Sequence, residues 1–180
     1  MKRWKNWAGN QRATPKSVHF PSSENELVAI VRFAQAARRR VKLVGSGHSF
    51  TAIAVADDIL VDLRNYCEFL EVSADRTCVT VQSGIVLADL NERLHREGLA
   101  MPNLGDVTYQ TIAGALSTST HGTGQGRTGL AAQVVGFRLI DSDGNVLQCS
   151  EHENEEVFHV GRVGLGALGV LSTLTMRVVP

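Results

Sequence analysis

The sequence has no excess of either charge, no long apolar run and no paired cysteine pattern, and each absence closes a class of function. Eighteen Lys and Arg stand against eighteen Asp and Glu, a formal net charge of zero. No overall field therefore draws the chain to nucleic acid or to an anionic membrane. The basic runs are local: Lys2, Arg3 and Lys5 near Trp4 and Trp7, and Arg38 to Arg40 at the end of an expected helix, where cations suit the negative pole of the dipole. No stretch approaches the ~18 apolar residues of a spanning helix and no signal peptide opens the chain, which predicts a soluble cytoplasmic protein without a membrane segment. Cys67, Cys78 and Cys149 are scattered and odd in number, the pattern of reduced thiols and not of a disulfide framework.

Chemical motifs are missing too. His152 and His159 lie among Glu151, Glu153, Glu155 and Glu156, but no His-Glu-x-x-His and no zinc-spaced cysteine pair occurs, so no metal site is expected. No Gly-Lys-Ser/Thr marks a Walker loop, and the run around His48 lacks the second glycine of a nucleophile elbow. There is no internal repeat and no low-complexity tract.

What remains is 180 residues, 43% apolar, enough for one well-buried domain or two small lobes. Ser23 and Glu26 have capping-box spacing ahead of Leu27, Ile30, Val31 and Ala34 at i, i+3, i+4, i+7, which predicts a helix running to about Arg39. Val41 to Val44 reads as a strand, followed by Ile59 to Leu63, Phe69 to Val72 and Thr77 to Gln82. Val86 to Glu97 reads as a second helix with Leu87, Leu90 and Leu94 on one face and Gly98 as its C-cap. Val134 to Ile140 and Val146 to Cys149 flank an Asp143-Gly144 turn, and a last strand is expected over Val170 to Val179.

Two segments are built of small residues. Gly45-Ser46-Gly47-His48-Ser49-Phe50 follows a strand and offers glycines for positive φ and hydroxyls for an anion, but Phe50 stands where a dinucleotide fingerprint has its third glycine, and a plain tight turn accounts for the pattern equally. His48 can be a base, a metal ligand, a covalent attachment point or a hydrogen-bonded turn residue. The second segment runs from Leu104 to Gly129, where Thr111 is a credible N-cap for a helix start at Ile112. Two separated glycine-rich loops suit a long, bent, diphosphate-bearing ligand.

These residues together resemble the FAD-linked oxidases of the vanillyl-alcohol oxidase and para-cresol methylhydroxylase superfamily, and within it the aldonolactone oxidases. The likeness rests on Trp4-Lys5-Asn6-Trp7-Ala8, Pro21 to Leu27, Val44 to Ser49, Ser83 to Leu90, Asn103-Leu104-Gly105-Asp106, Thr111-Ile112-Ala113-Gly114, Thr120 to Gly124 and Arg162 to Val170, in order along the chain. The resemblance implies an α+β, two-lobed PCMH-type FAD-binding domain with mixed sheets and flanking helices, lobe one over about 15–75 and lobe two over about 76–180. It implies FAD bonded through a ring nitrogen of His48 to the 8α carbon, with Gly45, Ser46, Gly47, Ser49 and Phe50 around the pyrophosphate. Asp106, Thr111, Gly114, Thr120, His121, Gly122 and Thr123 match the second cofactor loop, and Val170 a later backbone contact. No cysteine lies between Cys78 and Cys149, so a second flavin link is not expected.

The activity implied is hydride transfer from a sugar-lactone or polyol carbon to flavin N5, with dioxygen or another acceptor reoxidising it. The substrate-binding and acid/base residues of such enzymes lie in a second domain, so the chain reads as the cofactor half, with no catalytic residue of its own. An alditol oxidase domain, a non-catalytic flavin-binding module and a flavin-free phosphate-binding regulator are the rival readings. Asn103-Leu104-Gly105 and the run from Arg162 to Gly169 favour the lactone enzymes.

Overall fold

The computed structural model describes residues 3–126 and 128–180. A short hairpin, β1 (Trp4–Lys5) and β2 (Arg12–Ala13), precedes β3 (Ser17–His19), α1 (Glu24–Ala36), β4 (Val41–Val44) and β5 (Ile59–Asp62). Then come β6 (Phe69–Val72), β7 (Cys78–Gln82), α2 (Leu87–Arg96), α3 (Ile112–Ser117), β8 (Val134–Ile140), β9 (Val146–Ser150), α4 (Glu155–Gly161) and β10 (Val170–Arg177).

Strands β3, β5 and β4 form a three-stranded sheet in that order, both pairings parallel, and β6-β7-β10-β8-β9 form an antiparallel five-stranded sheet. Parallel pairing needs a long crossover, and α1 supplies it between β3 and β4. Leu27, Val31 and Ala34 of α1 are buried with Ile59, Val61 and Leu63, and the same cluster takes in Ile140 and Val170 of the larger sheet. The two sheets thus share a core. The larger cluster packs Leu87, Leu90 and Leu94 of α2, and Ile112, Ala115 and Leu116 of α3, onto Val79, Val81, Phe137, Leu174 and Met176.

Most expected elements stand where the pattern puts them, and the differences have local causes. Ser23 Oγ accepts from Glu26 N (3.3 Å), but the Glu26 carboxylate reaches back to Ser22 N (2.7 Å), one residue beyond the cap, so the box is shifted by one. Helix α1 stops at Ala36 and not near Arg39: Arg38 turns left-handed (φ 51°) and Arg39 N bonds to Ala34 O (2.8 Å), a closing turn in which Arg38 holds the place glycine usually takes. The three arginines therefore lie beyond the helix and not in its last turn. Strand β6, assigned by sequence to the first lobe, pairs with β7 in the larger sheet, so sheet membership divides between 65 and 69 and not at 75. Gly98 does cap α2, with φ 67°.

Candidate cofactor site

The loop after β4 begins in contact with the second small-residue segment. A methyl group on Gly45 would sit 1.9 Å from Thr111 Oγ1, so only glycine lets this corner reach the N-terminus of α3. There Thr111 caps as expected, its Oγ1 accepting from Gly114 N at 3.3 Å. The loop's other end is held by the N-terminal hairpin. Trp7 N donates to Gly47 O (2.9 Å), and Asn6 Nδ2 donates to Ser49 O (2.9 Å). Asn10 Nδ2 and Gln11 Nε2 both donate to Phe50 O, at 3.0 and 3.1 Å. Asn6, 3% exposed, is the keystone: its Nδ2 also donates to Asn10 Oδ1 (2.7 Å) and its Oδ1 accepts from Gln11 N (2.9 Å). The half-buried His48 lies face to face with Trp7, ring centroids 5.3 Å apart and planes 15° from parallel.

These elements wall an open cleft between the two sheets, about 1210 Å3 with the solvent space at its mouth counted in. One wall is 41–49 with Ile53 and Ala54; the facing wall is Gln110, Thr111, Ala113, Gly114, Ser117 and Thr118; the third is the glycine-rich stretch 161–169 with Leu139 and Leu171. Among the described residues no Asp or Glu lines it, and Lys42 is the one lysine or arginine that does. Among the described residues the buried acceptor Gln110 Oε1, on the cleft wall, has no hydrogen-bond partner. An unpaired buried acceptor costs roughly 1–3 kcal/mol, which a ligand donor in the cleft would recover. Neither Lys42 nor Gln110 stood out in the sequence, because nothing local shows that they face the cleft.

Of the residues expected to hold the cofactor, Gly45, Ser46, Gly47, His48, Ser49, Thr111 and Gly114 line this cleft. Phe50 turns outward, 63% exposed, its ring edge-on to Trp7 at 6.0 Å. Asp106 is exposed. Thr120, His121 and Gly122 pack against Leu104 and Gly105, where a methyl on Gly122 would lie 2.2 Å from Leu104 O, and they and Thr123 are outside the cleft wall. Val170 is buried and borders a second cavity, while its neighbours Gly169 and Leu171 face the cleft. Among the described residues no group of His, Cys, Asp and Glu is placed to hold a metal.

A mixed-sheet domain with a cleft between its sheets, walled by glycine and hydroxyl residues from separate loops, has the build of a domain for a nucleotide cofactor. Residues 15–150 match the model of the FAD binding domain family, and the chain belongs to that family. Among its relatives, L-gulonolactone oxidase of Mus musculus is 39% identical over 178 residues, 99% of this chain and 40% of that protein. L-gulono-1,4-lactone dehydrogenase of Mycobacterium tuberculosis is 42% identical over 179 residues, 98% of this chain and 41% of that protein. D-arabinono-1,4-lactone oxidase of Eremothecium gossypii is 36% identical over 181 residues, 98% of this chain and 34% of that protein. The chain thus spans about 40% of the length of the first two. Its cofactor is FAD, and the cleft suits it: two loops of small residues for a diphosphate and, among the described residues, one lysine, no opposing carboxylate and an unpaired acceptor.

Proposed function

We propose that this chain is the flavin-holding part of a lactone oxidoreductase acting on an aldono-1,4-lactone, with His48 as the point of covalent attachment. One observation carries the attachment: His48 lies on the cleft wall beside the Gly45–Thr111 corner, with no hydrogen bond to either ring nitrogen among the described residues. The names of the relatives, lactone oxidases and a lactone dehydrogenase, support the substrate class.

FAD when bound supplies the two-electron acceptor for a hydride leaving a hydroxyl-bearing carbon. The chain's own residues would do the holding: Gly45, Ser46, Gly47 and Ser49 on one wall, with Thr111 and Gly114 on the facing wall, would take the diphosphate. Lys42 would offset part of its charge, and Gln110 Oε1 would accept from a cofactor donor. Asp106, Thr120, His121, Gly122 and Thr123 would support the second loop from outside the cleft wall, and Val170 would support Gly169 and Leu171, which face the cleft. The electron acceptor is dioxygen or another oxidant, and the three free thiols, Cys67, Cys78 and Cys149, suit a cytoplasmic setting.

The test is direct. The chain is expressed with FAD, denatured in acid and washed. Yellow colour should stay with the wild-type protein and leave it in His48→Ala. Complete release from the wild type would remove the covalent reading while leaving FAD binding in place.

A further inference from the structure

We infer that Trp7 is the positioning residue that sets the plane of the His48 imidazole for attachment, and that the β1–β2 hairpin serves as a clamp on the attachment loop. This rests on the reading of His48 given above.

Burial does not explain Trp7, which is 66% exposed. What its indole does cover is one face of His48, at 5.3 Å and 15°, with the Phe50 ring edge-on at 6.0 Å and 88°. A histidine that must present one nitrogen is ordinarily oriented by a hydrogen bond at the other. His48 has none among the described residues, so the stacked indole is what fixes its plane, and both nitrogens stay available. The backbone that carries the indole is tied to the loop: Trp7 N donates to Gly47 O, immediately before His48, and Asn6 Nδ2 donates to Ser49 O, immediately after. Gly47 takes φ 67°, and a methyl there would lie 3.3 Å from Trp4 Cζ2, so hairpin and loop are fitted along their length.

The chemistry needs this geometry. Forming the bond from imidazole nitrogen to the 8α carbon removes one hydrogen from the ring nitrogen and one from the flavin methyl. The two electrons released pass to the flavin ring and from it to dioxygen, which leaves as hydrogen peroxide. The nitrogen lone pair lies in the ring plane, so a partner stacked on the ring face fixes the direction of attack without occupying its edge. A reacting group displaced by about 1 Å can lose on the order of 100-fold in rate.

The test follows attachment and binding separately. Flavin-free full chain, wild type, Trp7→Leu and Trp7→Phe, is mixed with FAD in air and quenched in acid at intervals. Acid-stable flavin is counted against total bound flavin in unquenched samples. Trp7→Leu should slow attachment on the order of tenfold or more with bound FAD retained, and Trp7→Phe should restore most of the rate. In the flavin-free chain, the His48 ring-proton resonances, assigned with His48→Ala, should move away from their ring-shifted position in Trp7→Leu and stay near it in Trp7→Phe. Attachment at the wild-type rate in Trp7→Leu, unmoved resonances, or bound and attached flavin falling in parallel would overturn the inference. A wild-type chain that binds FAD and never becomes acid-stable would sink the attachment reading first and the role of Trp7 with it. Wild-type attachment with an indifferent Trp7→Leu would sink only the latter.

Discussion

The two small-residue loops are alike in composition and unlike in how they are held. Gly45 to Phe50 is bonded to residues some 40 positions away in sequence, through Asn6, Trp7, Asn10 and Gln11. The outer part of the second loop, 103–105 with 120–126 and 128–129, is held to itself and to residues just beyond it: Asn103 Nδ2 to Thr128 O, Gln133 Nε2 to Asn103 O, Leu130 N to Thr120 O, Gly122 under Leu104. Among the described residues only its middle, 110–118, reaches the cleft wall. Composition marks a loop as able to approach a ligand; the long-range bonds decide which one is fixed there.

The sharpest way to break that contrast is at the corner where the loops meet. In Gly45→Ala the new methyl must displace Thr111 Oγ1 from 1.9 Å, which either moves β4 away from α3 or strips the helix of its cap. Overpacking of this kind costs about 1–3 kcal/mol, and the lost cap adds about 1 kcal/mol. Thermal unfolding should show the drop, and a fluorescence titration with FAD should show binding lost. Gly126→Ala, with open space around its missing Cβ and only φ 72° to strain, should leave FAD binding intact.

Next comes the clamp. Asn6→Ala leaves Ser49 O and Gln11 N without their partner in a nearly buried site, a loss of about 2 kcal/mol. Asn103→Ala removes one bond in an exposed setting and should cost well under 1 kcal/mol. Urea unfolding ranks the two, and hydrogen exchange at residues 47–50 should quicken only in Asn6→Ala. Equal effects would mean that the loops are held alike after all.

The sequence carried the parts of this picture that are local. The capping residues Ser23 and Thr111, the leucine face of α2 and the strands of the antiparallel sheet each depend on spacings within a few residues, and all were legible. β1, β2 and β3 were not, because strands of two or three residues have no room for alternation. α4 hid behind four glutamates around its start; only its fold shows that Phe158 goes inside against Phe137. The end of α1 was misplaced because Arg38 adopts a backbone conformation that its identity does not announce. In the site, Thr111 and the loop glycines announce themselves, whereas the stacking of Trp7 on His48 and the cleft-facing Gln110 exist only once distant segments meet.

A weaker effect than that of the corner or of Asn6 concerns what keeps the two loops at a fixed separation. The first loop hangs from the small sheet and the far wall from the large one. The sheets are joined by Glu24 of α1, whose carboxylate accepts from Arg138 Nε and Nη2 at 2.9 and 2.7 Å and from Ser172 Oγ at 2.6 Å, with Tyr66 Oη 2.9 Å from that hydroxyl. The hydrogen bond from Arg138 is the main reason the Glu24 carboxyl titrates below its ordinary 4.5, partly opposed by burial. A carboxylate depressed in the folded state stabilises fully above its unfolded pKa and loses that contribution as pH falls through the folded value. Glu24→Gln should therefore lower stability at neutral pH, by only about 1 kcal/mol because the Arg138 side chain is 42% exposed and water screens the pair. The gap between wild type and variant in urea unfolding should close as pH drops below 4.5, and FAD affinity should follow the same curve. A gap that stays constant to pH 3 would show that the separation of the loops is set by the shared apolar core alone.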